Sequence, residues 1–184
     1  MSEKSYLSLG PFTIFDVETT GFSPTNDRII EIGAMRVDLD GTVSYFQTLV
    51  NPNRPIPFAV RRLTKITDEM VADAPHFREI GNKFLQFARN STLVAHNAKF
   101  DLAFLQESLH RNNLQLWQGQ TLDLLILMKR SHANLPSYKL QYLREVFSLE
   151  DDGENCNPHR AMSDVIWTQQ LLKISLEKLL KITC

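Results

Sequence analysis

Cysteine, long apolar runs and an excess of one charge sign are all scarce in this sequence. Its two cysteines, Cys156 and Cys184, lie far apart and form no CxxC pair, which excludes a disulfide framework and argues against a thiolate zinc site. The longest unbroken apolar run, 124–128, is far shorter than the roughly 20 residues of a membrane-spanning helix, and the N-terminal residues contain no signal-peptide core. These absences predict a cytoplasmic protein with reduced thiols and no membrane association.

The charges are balanced: 20 Lys and Arg oppose 21 Asp and Glu among 184 residues, for a net charge of −1. A strongly basic protein that coats nucleic acid through bulk electrostatics is therefore excluded, and a partner rich in phosphates must be held locally. The 43% apolar content is that of an ordinary globular protein. Because domains run at roughly 150 residues, we predict a single domain over 1–184 with its core at about 11–182.

Apolar patterning predicts the secondary structure. Short apolar and β-branched stretches bounded by turn residues predict four strands, over 12–17, 28–37, 42–50 and 92–96. Helical spacing of apolar residues predicts four helices, around 77–87 and 102–109, over 138–147 and from about 160 to 181. The segment 121–131 fits either a strand or a helix. Strands in hairpin order followed by alternating helices and strands predict an α/β fold with a mixed central sheet flanked by helices.

Two carboxylates end the first predicted strand. Side chains alternate along a strand, so Asp16 and Glu18 point to the same face, about 7 Å apart along the chain. Two like charges in an otherwise apolar strand are unfavourable unless a cation neutralises them. The alternative is that the strand ends near Phe15 and that both acids are solvated.

Two further acids accompany predicted helix starts. Asn97 is suited to cap the helix after the fourth strand, and Asp101 then falls near the first turn, where the helix dipole favours an anion. Pro158 places His159 in a loop or at the first turn of the last helix, with Asp164 inside that helix. Taken singly, each pattern is equally that of an ordinary helix start.

Taken together, four carboxylates and one histidine indicate a particular chemistry. Mg²⁺ and Mn²⁺ prefer several carboxylate oxygens, and two such ions about 3.5–4 Å apart can activate water and stabilise the leaving oxygen of a phosphodiester. A histidine with a pKa of about 6.5 can accept the proton of that water at neutral pH. The candidate set is Asp16, Glu18, Asp101, Asp164 and His159.

Three motifs, 16–21 (DVETTG), 96–101 (HNAKFD) and 159–164 (HRAMSD), occur in the order and spacing of one enzyme family. The sequence resembles the DEDDh branch of the DnaQ-like 3′–5′ exonucleases, whose fold is ribonuclease H-like. Residues 28–34 (RIIEIGA) match as well, and the likeness covers roughly 12–175. Within the family, the first two motifs look most like those of the epsilon subunit of bacterial DNA polymerase III and of the PolC exonuclease domain.

The resemblance implies a role for each matched residue. The metal ligands, for two divalent cations that are Mg²⁺ or Mn²⁺, would be Asp16, Glu18, Asp101 and Asp164, with His159 as general base. The terminal nucleotide would be met by Thr19, Thr20, Phe22, Leu63, Thr64, His96, Asn97 and Phe100. From the residues alone, the alternatives are that Thr19 and Thr20 form a turn and that Phe100 belongs to the core. Lys65 stands where relatives often have glycine.

The function that the resemblance implies is metal-dependent 3′–5′ hydrolysis of DNA ends to nucleoside 5′-monophosphates, in replication proofreading or DNA repair. The partners would be single-stranded 3′ ends, with a replicative DNA polymerase as a candidate. One alternative is an exoribonuclease that uses the same metals, and another is a non-catalytic polymerase accessory module that binds nucleic acid.

Basic residues without intervening acids suggest where a strand enters. Between 41 and 67 the chain carries four cationic side chains and no acid: Arg54, Arg61, Arg62 and Lys65. We hypothesise that some of them hold the backbone of a single strand, since phosphate contacts position nucleic acid without reading its sequence. The alternative is a solvated loop and helix.

Overall fold

The computed structural model describes residues 5–150 and 160–182 of the chain. The described strands are β1 (Phe12–Thr19), β2 (Ile29–Val37), β3 (Val43–Leu49), β4 (Thr92–Ala95) and β5 (Thr121–Asp123). The described helices are α1 (Phe58–Thr64), α2 (Asp68–Ala72), α3 (Phe77–Phe87), α4 (Ala98–Arg111), α5 (Leu124–Ser131), α6 (Leu140–Val146) and α7 (Ala161–Ile182), with a 3₁₀ turn over Tyr6–Leu9. None of the helices in this described part is long and apolar enough to cross a bilayer.

The strands form one mixed sheet in the order β3-β2-β1-β4-β5. β2 is antiparallel to both β1 and β3, and the turn over 38–41 joins β2 to β3. β4 and β5 continue the sheet parallel to β1 and to each other. β1 is therefore central, and the predicted mixed α/β sheet is confirmed.

Helices cover both faces of this sheet. On one face, α5, α6 and α7 pack over Ile14 of β1 around the fully buried Trp167. On the other face, α3 and α4 pack over Phe15 and the buried Phe84. Because successive strand residues point to opposite faces, Asp16 shares the α7 face with Ile14.

The ambiguous segment 121–131 contains one element of each kind. β5 ends at Asp123, and α5 begins at the next residue with Asp123 as its N-cap. The Asp123 carboxylate accepts a hydrogen bond from the N–H of Leu125 at 2.9 Å. Both periodicities are present because the chain changes from strand to helix inside the segment, so periodicity alone does not decide between them.

Candidate active site

Three acids from two elements meet beside the carboxyl end of β1. Asp16 and Glu18 lie partly buried on β1, and Asp164 lies in the first turn of α7. One carboxylate oxygen from each residue lies within 4.8 Å of those of the other two. The alternative that the strand ends near Phe15 is wrong, because β1 continues to Thr19 and carries both acids with it.

A glycine in β2 allows α7 to approach so closely. Gly33 lies opposite Asp16 in the strand register. A Cβ atom at Gly33 would lie 2.8 Å from the carbonyl carbon of Ala161 and 2.8 Å from the main-chain nitrogen of Met162, a separation that real Cβ atoms essentially never show. A larger residue at this position would therefore push the first turn of α7, with Asp164, away from the sheet.

Asp101 reaches the same end of β1 from the first turn of α4. It is buried, and its Oδ1 accepts a hydrogen bond from the N–H of Val17 at 3.1 Å. This bond holds one carboxylate oxygen against the strand between Asp16 and Glu18. Asp101 lies outside the group of three that share the 4.8 Å limit, yet after burial its charge is the largest cause that raises the pKa of Asp16.

Burial and mutual repulsion raise the pKa of all four carboxyl groups. The pKa of Asp16 lies well above its usual value because the group is buried among other acids. Burial, followed by the charges of Asp164 and Glu31, raises the pKa of Glu18 to about 9. Burial raises the pKa of Asp101 to about 8, and burial with the charge of Glu31 raises that of Asp164 to about 7. The cluster therefore holds protons near neutral pH unless cations replace them.

These donors fit a hard divalent cation. Oδ1 of Asp164 is buried and has no hydrogen-bond partner among the described residues. Several carboxylate oxygens in one place are the ligands that Mg²⁺ and Mn²⁺ select. A divalent cation held by Asp16, Glu18 and Asp164 would satisfy the orphaned oxygen and remove the repulsion among the acids.

A buried ion pair beside the cluster was not among the predicted site residues. Glu31 of β2 is fully buried and accepts hydrogen bonds from Nη2 of Arg160 at 2.7 Å and from Nε at 3.0 Å. It also accepts the N–H of Ala161 at 3.1 Å, so it docks the start of α7 on the sheet. Glu31 lies opposite Glu18 in the strand register. The signal in the sequence is a lone acid inside the apolar run 29–35.

The predicted general base, His159, lies outside the described residues, together with the rest of 151–159. The next residue, Arg160, is described and is anchored to Glu31. The charge of Arg160 acts on Glu18, where it opposes the larger effect of burial on the pKa of that carboxyl. The role of His159 stays a prediction.

The turn after β1 uses the hydroxyl groups of two predicted nucleotide contacts. Thr19 is buried and donates to the carbonyl of Gly21 at 2.6 Å. Thr20 is buried and donates to Oδ1 of Asp27 at 3.2 Å. Both threonines therefore form the turn, as the alternative reading held. Phe22 is 89% exposed, which leaves its ring available to stack on a base.

The end of α1 distinguishes Leu63 from Thr64. The Thr64 hydroxyl is buried, donates to the carbonyl of Val60 at 3.0 Å and accepts the N–H of Ile66 at 3.1 Å. Leu63 is 48% exposed, so it alone of the pair offers its side chain to a ligand. Lys65 caps the helix with a φ of 61°, in the left-handed conformation that glycine favours, which accounts for the glycine of relatives.

The second motif begins between β4 and α4. Burial lowers the pKa of His96, whose Nδ1 has no hydrogen-bond partner within the described ranges. Asn97 occupies the N-cap of α4, but the prediction that it caps through its side chain is wrong. Its φ is 63°, whereas side-chain capping uses an extended N-cap residue. Phe100 is partly buried with its ring centroid 4.9 Å from that of Phe104, as the core alternative held.

Comparison with known proteins agrees with this geometry. The sequence model of the RNase_T family, described as Exonuclease, matches residues 13–172. The chain belongs to this exonuclease family. PolC-type DNA polymerase III of Caldanaerobacter subterraneus subsp. tengcongensis is 40% identical over 173 residues, which cover 94% of this chain and 12% of the relative.

Two further comparisons extend the likeness. DNA polymerase III subunit epsilon of Treponema pallidum is 39% identical over 155 residues, which cover 79% of this chain and 72% of the relative. Exonuclease X, solved in complex with 5′ overhanging duplex DNA, is 28% identical with a TM-score of 0.68, covering 89% of this chain and 90% of that one. The chain spans only 12% and 11% of the length of two PolC-type relatives. The predicted likeness to epsilon and PolC exonuclease domains is confirmed.

Proposed function

We propose that this chain is a divalent-cation-dependent 3′–5′ exonuclease that hydrolyses phosphodiester bonds at DNA 3′ ends and releases nucleoside 5′-monophosphates. The observation that carries this proposal is the convergence of Asp16, Glu18 and Asp164 within 4.8 Å, with Asp101 fixed beside them on Val17. Membership of the exonuclease family supports the reaction type.

Each acid has an assigned role. Two cations, Mg²⁺ or Mn²⁺, would be held by Asp16, Glu18, Asp101 and Asp164. Bound cations of this kind make water more acidic and offset the negative charge of a phosphodiester. The Val17 N–H keeps the Asp101 carboxylate oriented. We assign proton acceptance from the attacking water to His159, because histidine titrates near neutral pH, and this assignment rests on the motif at 159–164.

We assign nucleotide contacts to the residues around the acids. The exposed rings and apolar side chains, Phe22 and Leu63, are suited to stack on bases. The main chain at the turn and helix starts completes the proposed pocket, formed by Thr19, Thr20, Thr64, His96, Asn97 and Phe100. DNA as the substrate is supported by exonuclease X, which was solved with 5′ overhanging duplex DNA.

The relatives suggest a cellular setting. Because two of them are named as parts of DNA polymerase III, we propose that the chain acts in replication proofreading or repair in the cytoplasm, with a replicative polymerase as partner. We further propose that residues 1–184 act as one exonuclease domain, with a core at about 11–182. Gel filtration of the chain mixed with the purified replicative polymerase of its host tests the partner, and separate elution would contradict it.

Hydrolysis is tested with single-stranded DNA carrying a 5′ label, in Mg²⁺ or Mn²⁺. The wild-type chain should shorten the strand from its 3′ end, whereas Asp16→Ala should leave it intact. Asp73→Ala is the matched control, because Asp73 is an exposed acid at the end of α2, and it should degrade the strand like wild type. An intact strand with wild type, or equal degradation by wild type and Asp16→Ala, would overturn the catalytic assignment.

The choice between DNA and RNA needs its own comparison. Matched DNA and RNA strands of one sequence, with identical 5′ labels, should be digested separately by the wild-type chain. We expect faster release of nucleotides from DNA. Faster digestion of RNA would replace the DNA proposal with that of an exoribonuclease.

A further inference from the structure

A polar cleft of about 550 Å³ lies beside the start of β2. Three arginines from separate parts of the chain line it: Arg28 immediately before β2, Arg54 in the loop after β3, and Arg111 at the end of α4. None of the described residues that line the cleft is acidic, and His76 adds a titratable nitrogen. We call this cleft the arginine cleft.

The three guanidinium groups are positioned by neutral oxygens of one loop, 24–27. Arg28 donates from Nη1 to the carbonyls of Asn26 and Asp27 at 3.0 and 2.8 Å, and Arg54 donates to the same Asn26 carbonyl. Arg111 donates from Nη2 to two further loop carbonyls, at 3.0 Å each. A carbonyl orients a guanidinium without cancelling its charge, and each group has five N–H donors in total.

The positive charge of the arginine cleft is only partly offset. Arg111 pairs with Glu107 at 3.2 Å, and the carboxylate of Asp27 is bonded to the turn that follows β1. After burial, the charges of Arg111 and Arg54 lower the pKa of Arg28, which shows that these cations lie close enough to repel one another. An anion in the cleft would relieve this repulsion.

The arginine cleft lies near the carboxylates but apart from them. Ile29, which lines the cleft, pairs across the strands with Thr19, the residue after Glu18. Asp101 and Arg111 lie ten residues apart on the same helix, a separation of about 15 Å along its axis. A strand stacked at about 3.4 Å per nucleotide would cover this distance in roughly four or five nucleotides.

The basic residues of α1 are less available to a substrate than their number suggests. Arg61 forms an ion pair with Asp68 at 3.1 Å, the first acid beyond the basic stretch. The guanidinium of Arg62 lies 6.0 Å from the ring centroid of Phe58. Of the cations first proposed to hold a strand, Arg54 is therefore the one that joins a cluster of other arginines around a cavity.

We propose that the arginine cleft binds backbone phosphates of the nucleic-acid strand whose 3′ end occupies the carboxylate site. Guanidinium groups bind phosphates through paired N–H donors, and such contacts hold a strand independently of its sequence. The inference rests on the proposed function, because it places the strand's end at Asp16, Glu18 and Asp164.

The test is binding of 5′-fluorescein-labelled oligo-dT of 3 and 12 nucleotides, measured by fluorescence anisotropy without hydrolysis in an Asp16→Asn background. Arg54→Ala and Arg111→Gln should each raise the Kd of the 12-mer by about threefold or more, and the salt dependence of log K should fall by about 0.7 per lost contact. The 3-mer, too short to reach the cleft, should bind as before. Arg54→Lys, which keeps the charge, should keep most of the salt dependence.

Arg89→Ala is the matched control, since Arg89 is exposed like Arg54 but lies outside the cleft, just before β4. Thermal melting of each variant confirms that it folds. Variants that bind the 12-mer like Arg89→Ala overturn the inference, as does an equal loss of 3-mer binding, which would mean that the arginines only support the loop. Competition by dTMP that needs Arg54, with normal 12-mer binding, would show a free-nucleotide site instead.

Failure of the inference and failure of the proposed function are distinguishable. The proposed function fails when the wild-type chain with Mg²⁺ or Mn²⁺ leaves every oligonucleotide intact. The inference fails alone when the wild-type chain degrades the 12-mer while the arginine variants bind it normally.

Discussion

Glu31 holds Arg160 through two hydrogen bonds, at 2.7 and 3.0 Å, between β2 and the start of α7. The same carboxylate accepts the N–H of Ala161 at 3.1 Å, so it fixes the first residue of the helix as well as the side chain before it. Because Asp164 lies in this first turn, its approach to Asp16 depends on the docking. The ion pair thus positions a carboxylate of the cluster from the neighbouring strand.

Replacing this acid by its amide should reduce turnover more than substrate binding. Glu31→Gln leaves Arg160 without its counter-charge, and breaking a buried ion pair from one side costs about 3 kcal/mol or more. We expect a lower melting temperature and a kcat reduced by about 10-fold to 100-fold, because small displacements of catalytic groups have effects of this size. KM should change little. Steady-state kinetics on a labelled strand at saturating Mn²⁺ measure both.

Asp38→Asn is the matched control for this change. It also converts an acid to its amide and breaks an arginine pair, with Arg36 at 2.8 Å, but at the opposite end of β2 and nearer to solvent. Its kcat should equal that of wild type. A Glu31→Gln variant with wild-type kcat would show that the ion pair has no positioning role.

The close contact between Gly33 and α7 predicts a second mutational effect. In Gly33→Ala the new methyl group meets main-chain atoms of Ala161 and Met162 at 2.8 Å, and main chain cannot move aside locally. We expect lower stability and a kcat reduced by about 10-fold or more, because the helix that carries Asp164 must shift.

Gly81→Ala separates this effect from a general cost of filling space. A Cβ atom at Gly81 of α3 would lie 2.6 Å from Cδ1 of Leu114, the mobile end of a side chain, and alanine also favours the helix. Its kcat should remain that of wild type. Equal losses of kcat in Gly33→Ala and Gly81→Ala would contradict the role given to the α7 contact.

Prediction from the sequence succeeded where the signal was local. Alternation along the first strand predicted that Asp16 and Glu18 share a face, and helix position predicted the buried first-turn placement of Asp101. The Glu31–Arg160 pair was missed because it joins residues that are far apart in the chain, and a lone acid in a strand does not specify its partner. The backbone conformation of Asn97 was missed for a related reason, since residue type alone does not specify a left-handed φ.

Lys65 predicts a stabilising substitution. Its φ of 61° is a left-handed conformation that costs an ordinary L-residue about 1–2 kcal/mol and glycine almost nothing. Lys65→Gly should therefore raise the free energy of unfolding by about 1 kcal/mol in urea titrations. Lys65→Ala removes the same charge but keeps the Cβ, so it should not share the gain. Equal stability of the glycine and alanine variants would contradict this explanation.

The acidic cluster predicts how stability depends on pH. In the unfolded chain the carboxyl groups have pKa values of about 4, whereas in the fold those of Asp164, Asp101 and Glu18 reach about 7, 8 and 9. Between these limits the folded chain binds more protons than the unfolded chain. The free energy of unfolding contributed by the cluster is therefore present below about pH 4 and is lost as pH rises through the folded values.

Thermal melting in EDTA should thus show a lower melting temperature at about pH 8.5 than at about pH 5. Mn²⁺ should raise the melting temperature far more at the higher pH, because cations compete with protons for the carboxylates. Glu18→Gln removes one raised pKa and should lessen the decrease between the two pH values, whereas Glu69→Gln, an exposed acid in α2, should not. If Glu18→Gln melts with the wild-type pH dependence, the acids of the cluster are not crowded in the way their burial indicates, and a cation has no repulsion to relieve.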